Sequence, residues 1–365
     1  MAIMSVNIAY GYHNFTHFDC LLTSEILMGN ENSRESERKR AQASLTGFSS
    51  EEKQKFENLY EKVLNGYDEI TKDLLKTHLG IGLAEDVITR IFQRMTHTRP
   101  SGSARVTEAS FYTVIAHLVS CRTDKRAHII YTLASSTPES GLSAKELFSF
   151  VKIVISSYFD LLNIHKKLDS RLWTLPVRVS YSELDLLTYF SLNDLFYPDR
   201  KARLSSKTVQ SIPDAVYSEE DLLKWCGQPS LFPACFTSTF QTLFPVCDEP
   251  ERSLLPIFFG KKGMEDHTNL LRVGDVITIN QSIPQKLREK WTLLFDSRKH
   301  GESFTNLLRN VRKHRNTVLV VRDIEGHIFG GFSTAVWSNH AAFQGSIDNF
   351  LFSIHPVLDI YKPSG

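Results

Sequence analysis

The amino-acid sequence predicts a multidomain protein in which an all-α region of repeated helix–loop–helix units precedes a region of mixed helices and strands. Two observations lead to this prediction. Apolar residues follow a helical period from residue 50 to about residue 159, and the pattern repeats with an offset of 36 residues. From about residue 254 the apolar residues instead form short runs typical of strands. A chain of 365 residues is long enough for two domains or for one large domain.

These changes of pattern divide the chain into four segments. Residues 1–49 are expected to form a flexible N-terminal segment, and residues 50–159 the helical repeats. Residues 160–250 are expected to be a helical extension and linker, and residues 251–365 the α+β domain.

Composition narrows the class of function. The 42 Lys and Arg residues nearly balance the 41 Asp and Glu residues, so a net charge of +1 gives no field that would hold a nucleic acid. Five cysteines without a CxxC pair are typical of reduced thiols in a cytosolic protein. The longest apolar runs are shorter than the ~20 residues of a membrane span, so we expect a soluble chain. No phosphate-binding loop, dinucleotide fingerprint or HExxH motif occurs in the sequence, so no cofactor is predicted.

The 36-residue repeat has the layout of EF-hands. Ile70, Val106 and Leu142 are spaced by this period, and each occupies the eighth position of a loop of about 12 residues between two helices. In EF-hands this position lies in a short β-bridge that joins two paired loops. Similar sequences at 179–184 and 216–222 are interpreted either as a fourth unit, since EF-hands occur in pairs, or only as capping boxes, Ser180-x-x-Glu183 and Ser218-x-x-Asp221.

Most calcium ligands are missing from these loops. Calcium requires oxygen ligands at loop positions 1, 3, 5 and 12. Only the third loop retains carboxylates, which are Glu139 and Glu146. The remaining positions are occupied by Val63, Asn65, Tyr67, Leu74, Arg99, Ser101, Ser103, Ser110, Ser135 and Thr137. We therefore predict structural loops and no metal site, with a calcium-sensing regulator as the alternative.

A possible second start of translation lies within the N-terminal segment. Residues 28–33, MGNENS, fit the myristoylation pattern M-G-x-x-x-[ST]. Basic residues follow at once, and they would supply the second signal that a single acyl chain needs for stable anchoring. The hypothesis is that Gly29 is acylated after a start at Met28, and the alternative is a solvated polar linker.

The C-terminal region alternates strands with two helices. Strands are predicted at residues 254–259, 276–279 and 291–295, and residues 318–332 are predicted to form a hairpin that turns at 323–326. A short helix is expected at 284–290, and Ser303 is expected to cap a longer one. This is an α+β pattern.

The order and spacing of these motifs resemble the TLDc family. Residues 291–295 (WTLLF), 300–304 (HGESF), 317–323 (TVLVVRD) and 329–332 (FGGF), followed by Trp337, carry the resemblance over about residues 254–352. The residues that correspond to the family motif are His300, Gly301, Ser303, Asp323, Gly326, Phe329 and Gly330. The resemblance implies a β-sandwich core with flanking helices. Family domains continue beyond the equivalent of Phe352, so we expect a truncated domain.

The resemblance also implies a function. Together with the N-terminal Met-Gly-Asn and the helical region, it is similar to the lysosome-associated branch of the family that is linked to mTOR signalling. It implies a non-enzymatic adaptor that binds subunits of the vacuolar proton ATPase and components of the mTOR pathway. Such a protein would be cytoplasmic and peripheral on the lysosomal membrane through a lipid anchor. The family is associated with the oxidative stress response, but the cysteine spacing shows no redox pair.

A hydrolase using His300 and Ser303 remains a further alternative. These residues are three apart at a turn and lack the GxSxG motif of a nucleophile elbow. We therefore expect structural roles for them, with His300 as a buried or hydrogen-bonded turn residue.

Overall fold

The fold is seen in a computed structural model that describes residues 2–5, 39–97, 105–136, 140–164, 179–198, 211–228, 231–248, 254–259, 270–337 and 345–363. Its helices are α1 (Ser50–Leu64), α2 (Lys72–Leu79), α3 (Glu85–His97), α4 (Glu108–Val119), α5 (Thr123–Ala134), α6 (Ala144–Ile164), α7 (Tyr181–Phe196), α8 (Glu219–Cys226), α9 (Leu231–Leu243), α10 (Val273–Ser282), α11 (Ser297–His300) and α12 (Phe304–Val311). Its strands are β1 (Ala2–Ser5), β2 (Leu142–Ser143), β3 (Val216–Tyr217), β4 (Ile257–Phe259), β5 (Lys290–Asp296), β6 (Thr317–Arg322), β7 (Ile328–Ser333), β8 (Phe350–His355) and β9 (Asp359–Tyr361).

Local sequence explains where many of these helices begin. At the start of α1, α4 and α8 the third helical residue donates its backbone N–H to the side chain of the capping residue, which is Ser49, Thr107 or Ser218. The side chain of that third residue in turn accepts a hydrogen bond from the backbone N–H of the capping residue. Helix α1 ends at Asn65, whose φ of 51° is the left-handed conformation that terminates helices. The predicted helical units therefore have defined ends.

Helix α6 lies at the centre of the helical region. It packs against α7 through Phe148 and Tyr189, whose rings are 4.7 Å apart, and Lys152 of α6 pairs with Asp185 of α7 at 2.6 Å. Helix α9 covers another side, where Phe150 meets Phe232. By length and composition α6 could cross a membrane, but 61% of its apolar window is buried inside the structure. A core helix has this property, because it is apolar on most of its circumference.

Two loops of the helical region are joined by a short β-bridge. Strand β2 pairs antiparallel with β3, which places Leu142 opposite Tyr217. Leu142 is fully buried. The loops after α5 and α7 are thereby held side by side although they are far apart in sequence. The loops after α1 and α3 are also neighbours, since Arg105 donates a hydrogen bond of 2.7 Å to the carbonyl oxygen of Asp68.

The larger strands form one seven-stranded sheet in the order β4-β5-β1-β6-β7-β8-β9. Strand β4 is parallel to β5, and every other neighbouring pair is antiparallel. Strands β6 to β9 are a continuous meander, so among the described residues they make one sheet and not the two facing sheets of the expected β-sandwich. Residues 2–5, which belong to the segment expected to be flexible, form β1 and pair with β5 and β6 on either side.

Three predicted elements of the C-terminal region were wrong in type or length. Residues 276–279 belong to helix α10, because Asp275 accepts hydrogen bonds from Arg272 and starts a helix there. This helix is buried on every side, and an apolar run buried on every side has no periodicity that separates a helix from a strand. The helix predicted at 284–290 is a single 3-10 turn at Gln285–Leu287, and only Ile257–Phe259 of the run 254–259 is a strand.

One apolar cluster extends through both the helical region and the sheet. Helix α10 fits closely against α7, because a Cβ atom at Gly274 would lie 2.7 Å from Cδ1 of Leu187. The inward face of the sheet contributes Val318, Val320 and Phe332 to the same cluster. On the opposite face α12 covers a smaller cluster made by Phe295, Leu307 and Val311. The sheet therefore has a deeply buried face and a partly covered outer face.

Candidate functional site

The first group of predicted site residues forms a corner between β5 and α12. The backbone N–H of Asp296 donates to Nδ1 of His300 at 3.0 Å, and the His300 ring stacks on Phe295 with centroids 5.5 Å apart. Gly301 follows with a φ of +79°, a conformation that favours glycine. His300 is exposed and hydrogen-bonded, so the expectation of a hydrogen-bonded turn residue holds and that of burial does not.

Ser303 has the role of a helix cap. Its Oγ accepts a hydrogen bond from the backbone N–H of Asn306, and the Asn306 amide donates to the carbonyl oxygen of His300 at 2.9 Å. Nucleophilic catalysis would require a base directed at the serine hydroxyl. The Nδ1 of His300 instead faces the backbone of Asp296. These contacts give both side chains structural roles in the corner.

The second group forms the turn between β6 and β7. Oδ1 of Asp323 accepts from the backbone N–H groups of Glu325 and His327 at 2.9 and 2.8 Å, and Gly326 has a φ of +89°. The Ile324 side chain at the tip is fully exposed. The turn is thus closed by an Asp side chain and a glycine, as the sequence predicts.

Asp323, Glu325 and His327 also place three potential metal ligands within 4.8 Å of one another. Nδ1 of His327 lies 2.8 Å from Oδ2 of Asp323. Desolvation raises the pKa of the Asp323 carboxyl, but hydrogen bonds from His327 and the turn backbone outweigh it and hold the pKa below its usual range. The group is exposed and its polar atoms bond to one another, so we assign it to closing the turn.

Phe329 and Gly330 face opposite sides of the sheet. A Cβ atom at Gly330 would lie 1.9 Å from the carbonyl oxygen of Leu319 and 2.5 Å from the Phe352 ring, so only glycine fits beneath that ring. Phe329 points to the outer face, where it is 44% exposed, and Leu351 on β8 is 65% exposed on the same face. We call this pair, with Val321 and Tyr361 beside it, the outer apolar face.

Among the described residues, the loops of the helical region present few groups to a cation. Both oxygens of Glu146 accept hydrogen bonds, Oε1 from the N–H of Ser136 and Oε2 from the N–H and hydroxyl of Ser143. Desolvation opposes ionisation, but these hydrogen bonds lower the pKa of Glu146 to about 2. The side chain thus closes its own loop. Glu139 and the second-loop positions Arg99, Ser101 and Ser103 lie outside the described residues, as do Met28 and Gly29.

Sequence reasoning missed an ionic group between the helical region and the sheet region. Arg272 donates from Nε to Asp275 at 3.1 Å and lies 3.8 Å from Oε1 of Glu183 on α7. Burial raises the pKa of the Glu183 carboxyl and the charge of Asp275 adds to this, while Arg272 opposes it. The two acids are far apart in sequence, so no local motif could indicate them.

Sequence spacing also missed a pair of cysteines. The side-chain amide of Gln241 lies 3.6 Å from Sγ of Cys121 and 3.9 Å from Sγ of Cys247. Both cysteines are free thiols, and burial raises the pKa of Cys247 to about 11. A thiol with a raised pKa is a weak nucleophile, which argues against a nucleophilic role for Cys247.

Comparison with known families identifies the sheet-containing region. Residues 264–365 match the family model described as TLDc domain. The matched segment contains the corner, the turn and the outer apolar face. This segment is therefore similar to the TLDc domain and follows a helical region, and the resemblance predicted from the motifs is confirmed.

About 80% of the chain is similar to particular curated proteins. MTOR-associated protein MEAK7 of Gallus gallus is 27% identical over 303 residues, which cover 81% of this chain and 64% of that protein. The Homo sapiens protein of the same name is 26% identical over 80% of this chain and 64% of its own length. Oxidation resistance protein 1 of Bos taurus is 27% identical over 107 residues, 29% of this chain and 12% of that protein. The chain thus spans 64% of the length of its MEAK7 relatives.

Proposed function

We propose that this chain is a non-enzymatic adaptor in mTOR signalling at the lysosomal membrane. The observation that carries the proposal is its similarity, along about 80% of the chain, to proteins named as mTOR-associated. The geometry of the His300 and Ser303 corner supports a non-catalytic role, since both side chains are engaged in holding a turn and a helix end. Components of the mTOR pathway are the partners expected for such an adaptor.

The outer apolar face is the surface on which we expect the vacuolar proton ATPase to dock. Large apolar side chains exposed together on one face of a sheet are typical of interaction sites. Phe329 and Leu351 are such a pair, and they lie within the segment that matches the TLDc domain. A protein partner would remove both from water.

Capture of purified ATPase subunits tests this docking. The Leu351→Asp variant should lower the captured amount roughly tenfold or more, because it introduces a charge at the centre of the face. Leu223→Asp is the matched control, since Leu223 is a 41% exposed leucine on α8 in the helical region. Equal capture of both variants would remove the outer apolar face from the proposal, and no capture by the unaltered chain would remove ATPase binding.

Membrane attachment is proposed to depend on acylation of Gly29. The motif at residues 28–33 and the basic residues Arg34, Arg38, Lys39 and Arg40 support this anchor. Intact-mass measurement of protein from its native cell should show a chain that begins at Gly29 and carries one myristoyl group. An unmodified Gly29 within a longer chain would contradict the anchor, and Gly29→Ala is the control for membrane fractionation.

The helical region is proposed to be a rigid set of paired EF-hand-like units that do not sense calcium. The β2–β3 bridge supports this reading, because paired EF-hand loops are joined by such a bridge at the eighth loop position. The engagement of Glu146 within its own loop argues against a calcium site. Titration with calcium should leave the melting temperature unchanged, and a rise at micromolar calcium would favour the sensor.

A further inference from the structure

A group of basic side chains lies where α12 ends and β6 begins. Residues 297–319 contain six Lys and Arg residues and one acid, Glu302, although the net charge of the whole chain is only +1. Four of the six cations fall within seven consecutive residues, and all four are exposed. We call these four the basic end, and they are Arg309, Arg312, Lys313 and Arg315.

The basic end keeps its positive charge. Nη2 of Arg309 donates to Oδ1 of Asn306 at 2.9 Å, and Nε of Arg315 donates to the carbonyl oxygen of Thr334 at 3.4 Å. Both acceptors are neutral. Within the part of the chain that the structure describes, no ion pair engages any of the four cations. Because four like charges lie close together without paired acids, they create a positive field at this end of the sheet.

Helix α12 directs Arg309 and Arg312 away from the core. Its buried residues are Leu307 and Val311, which pack with Phe295 on the outer side of the sheet. Arg309 lies midway between them in sequence, and in a helix this places it on the opposite side. Arg312 is three residues further on, so it shares the outward face with Arg309. These cations therefore face solvent side by side.

An exposed apolar side chain is held beside the basic end. The carbonyl oxygen of Thr334 accepts from Arg315, and the backbone N–H and the hydroxyl of Thr334 both donate to Oδ1 of Asn349 at 3.0 Å. Asn349 closes the turn at residues 346–349 through a backbone hydrogen bond of 3.0 Å. Ile347 at the tip of this turn is 70% exposed. The hydrogen bonds thus fix an apolar tip next to the four cations.

This combination matches the chemistry of a membrane whose headgroups are anionic. Lys and Arg side chains are attracted by the negative surface potential of such a membrane, and an apolar side chain gains by entering the headgroup boundary. Asp348 is the one acid of the turn that carries Ile347, so the surface as a whole stays positive. A nucleic acid or an acidic peptide would use the cations but leave Ile347 in water. A lipid surface uses both, and the observations therefore favour it.

We propose that the basic end and Ile347 form a contact surface for membranes that contain anionic phospholipids. The contact would be reversible, since binding through a few exposed charges and one apolar side chain is weak and depends on salt. It does not rest on acylation of Gly29, because a chain without a lipid carries the same residues. It uses none of the residues of the outer apolar face.

Co-sedimentation with lipid vesicles tests the contact on the full chain produced without an acyl group. Vesicles of phosphatidylcholine with about 30% phosphatidylserine should bind the chain about tenfold more tightly than vesicles of pure phosphatidylcholine. Raising the salt from about 0.1 M to about 0.5 M should remove most of the binding, because the charges are exposed. Equal binding to the two kinds of vesicle, or binding to neither, would overturn the proposal.

Two neutral substitutions identify the cations. Arg312→Gln combined with Lys313→Gln should weaken vesicle binding roughly tenfold and leave the melting temperature nearly unchanged, because both positions are exposed. The matched control is Lys62→Gln combined with Lys145→Gln, which removes the same total charge from exposed positions of α1 and α6 and should retain full binding. Equal losses in both double variants would mean that net charge alone decides, and full binding by the first would place the contact elsewhere. Either result would overturn the proposal.

Ile347→Ser tests the apolar part of the surface and the choice of partner. It should weaken binding to the anionic vesicles about three- to tenfold at constant salt, because the apolar side chain no longer enters the headgroup boundary. Retention of the chain on immobilised polyglutamate should be weak and unaffected by the same substitution. Strong retention on polyglutamate without binding to the vesicles would identify an acidic polymer as the partner. That result, or unchanged vesicle binding by Ile347→Ser, would contradict the lipid contact.

Discussion

At the scale of single residues, Glu146 shows how hydrogen bonding decides the role of a polar side chain. From sequence it is one of two acids that could hold calcium, and in the structure it closes the third loop through hydrogen bonds from Ser136 and Ser143. Its hydrogen bonds with Ser143 form a capping box at the start of α6, and a calcium ligand would need the same carboxylate. Only the geometry of the loop decides between them.

The lowered pKa of Glu146 leads to a pH-dependent stability. A carboxyl whose folded pKa is about 2, below the usual value of 4.5, stabilises the fold above pH 4.5 and loses that effect as the pH falls toward 2. Glu146→Gln should therefore lower the free energy of unfolding at pH 7 by about 1–2 kcal/mol. Urea unfolding at several pH values should show this difference shrinking in acid. Glu61→Gln, at an exposed glutamate of α1, is the control, and a pH-independent difference would contradict the assignment.

Gly330 carries a second prediction at this scale. An added Cβ would meet a backbone carbonyl oxygen at 1.9 Å, which cannot be relieved by moving a side chain. Gly330→Ala should destabilise the chain by about 3 kcal/mol or more. At the neighbouring Gly331 the nearest atom is a Leu351 methyl at 3.0 Å, so Gly331→Ala should cost clearly less. Similar unfolding midpoints for the two variants would show that the sheet shifts to accept both.

At the scale of elements, sequence patterns predicted some features well and missed others for physical reasons. The hairpin of β6 and β7, the cap of α12 and the helices before residue 164 follow from local rules on turns, caps and periodicity. Helix α10 was mistaken for a strand because burial on all sides removes the alternation that pattern reading needs. The Glu183–Arg272 contact joins residues distant in sequence, so no local pattern reports it.

The packing of α7 against α10 should depend on pH. Because burial raises the pKa of Glu183, its neutral form is favoured in the folded state, and stability falls as the pH rises from the usual value of 4.5 through the raised one. Glu183→Gln should therefore raise the melting temperature at pH 7 and reduce its dependence on pH above 4.5. The control is Asp185→Asn on the same helix, whose partly exposed pair with Lys152 contributes about 0–1 kcal/mol. A lower melting temperature for Glu183→Gln at pH 7 would mean that the ion pair with Arg272 dominates.

At the scale of the whole molecule, the shared core argues that the two regions unfold together. Side chains from α7, α9, α10 and the inner face of the sheet belong to one apolar cluster. Calorimetry should therefore show one transition with equal calorimetric and van't Hoff enthalpies. Leu187→Ala, which removes the contact over Gly274, should lower the midpoint and keep a single transition. Two separated transitions in the unaltered chain would show that the regions are independent.

Helix α6 has a consequence for how the chain is made. Its apolar surface is covered by α7 and α9, and α9 is complete only about 80 residues after α6 ends. At a synthesis rate of about 5–20 residues per second, the ribosome needs roughly 4–16 s to supply those covering residues. For that time the nascent chain presents to solvent and to chaperones a helix with the length and hydropathy of a membrane span. Correct folding of this protein therefore requires that α6 stay shielded from aggregation until α7 and α9 have been synthesised.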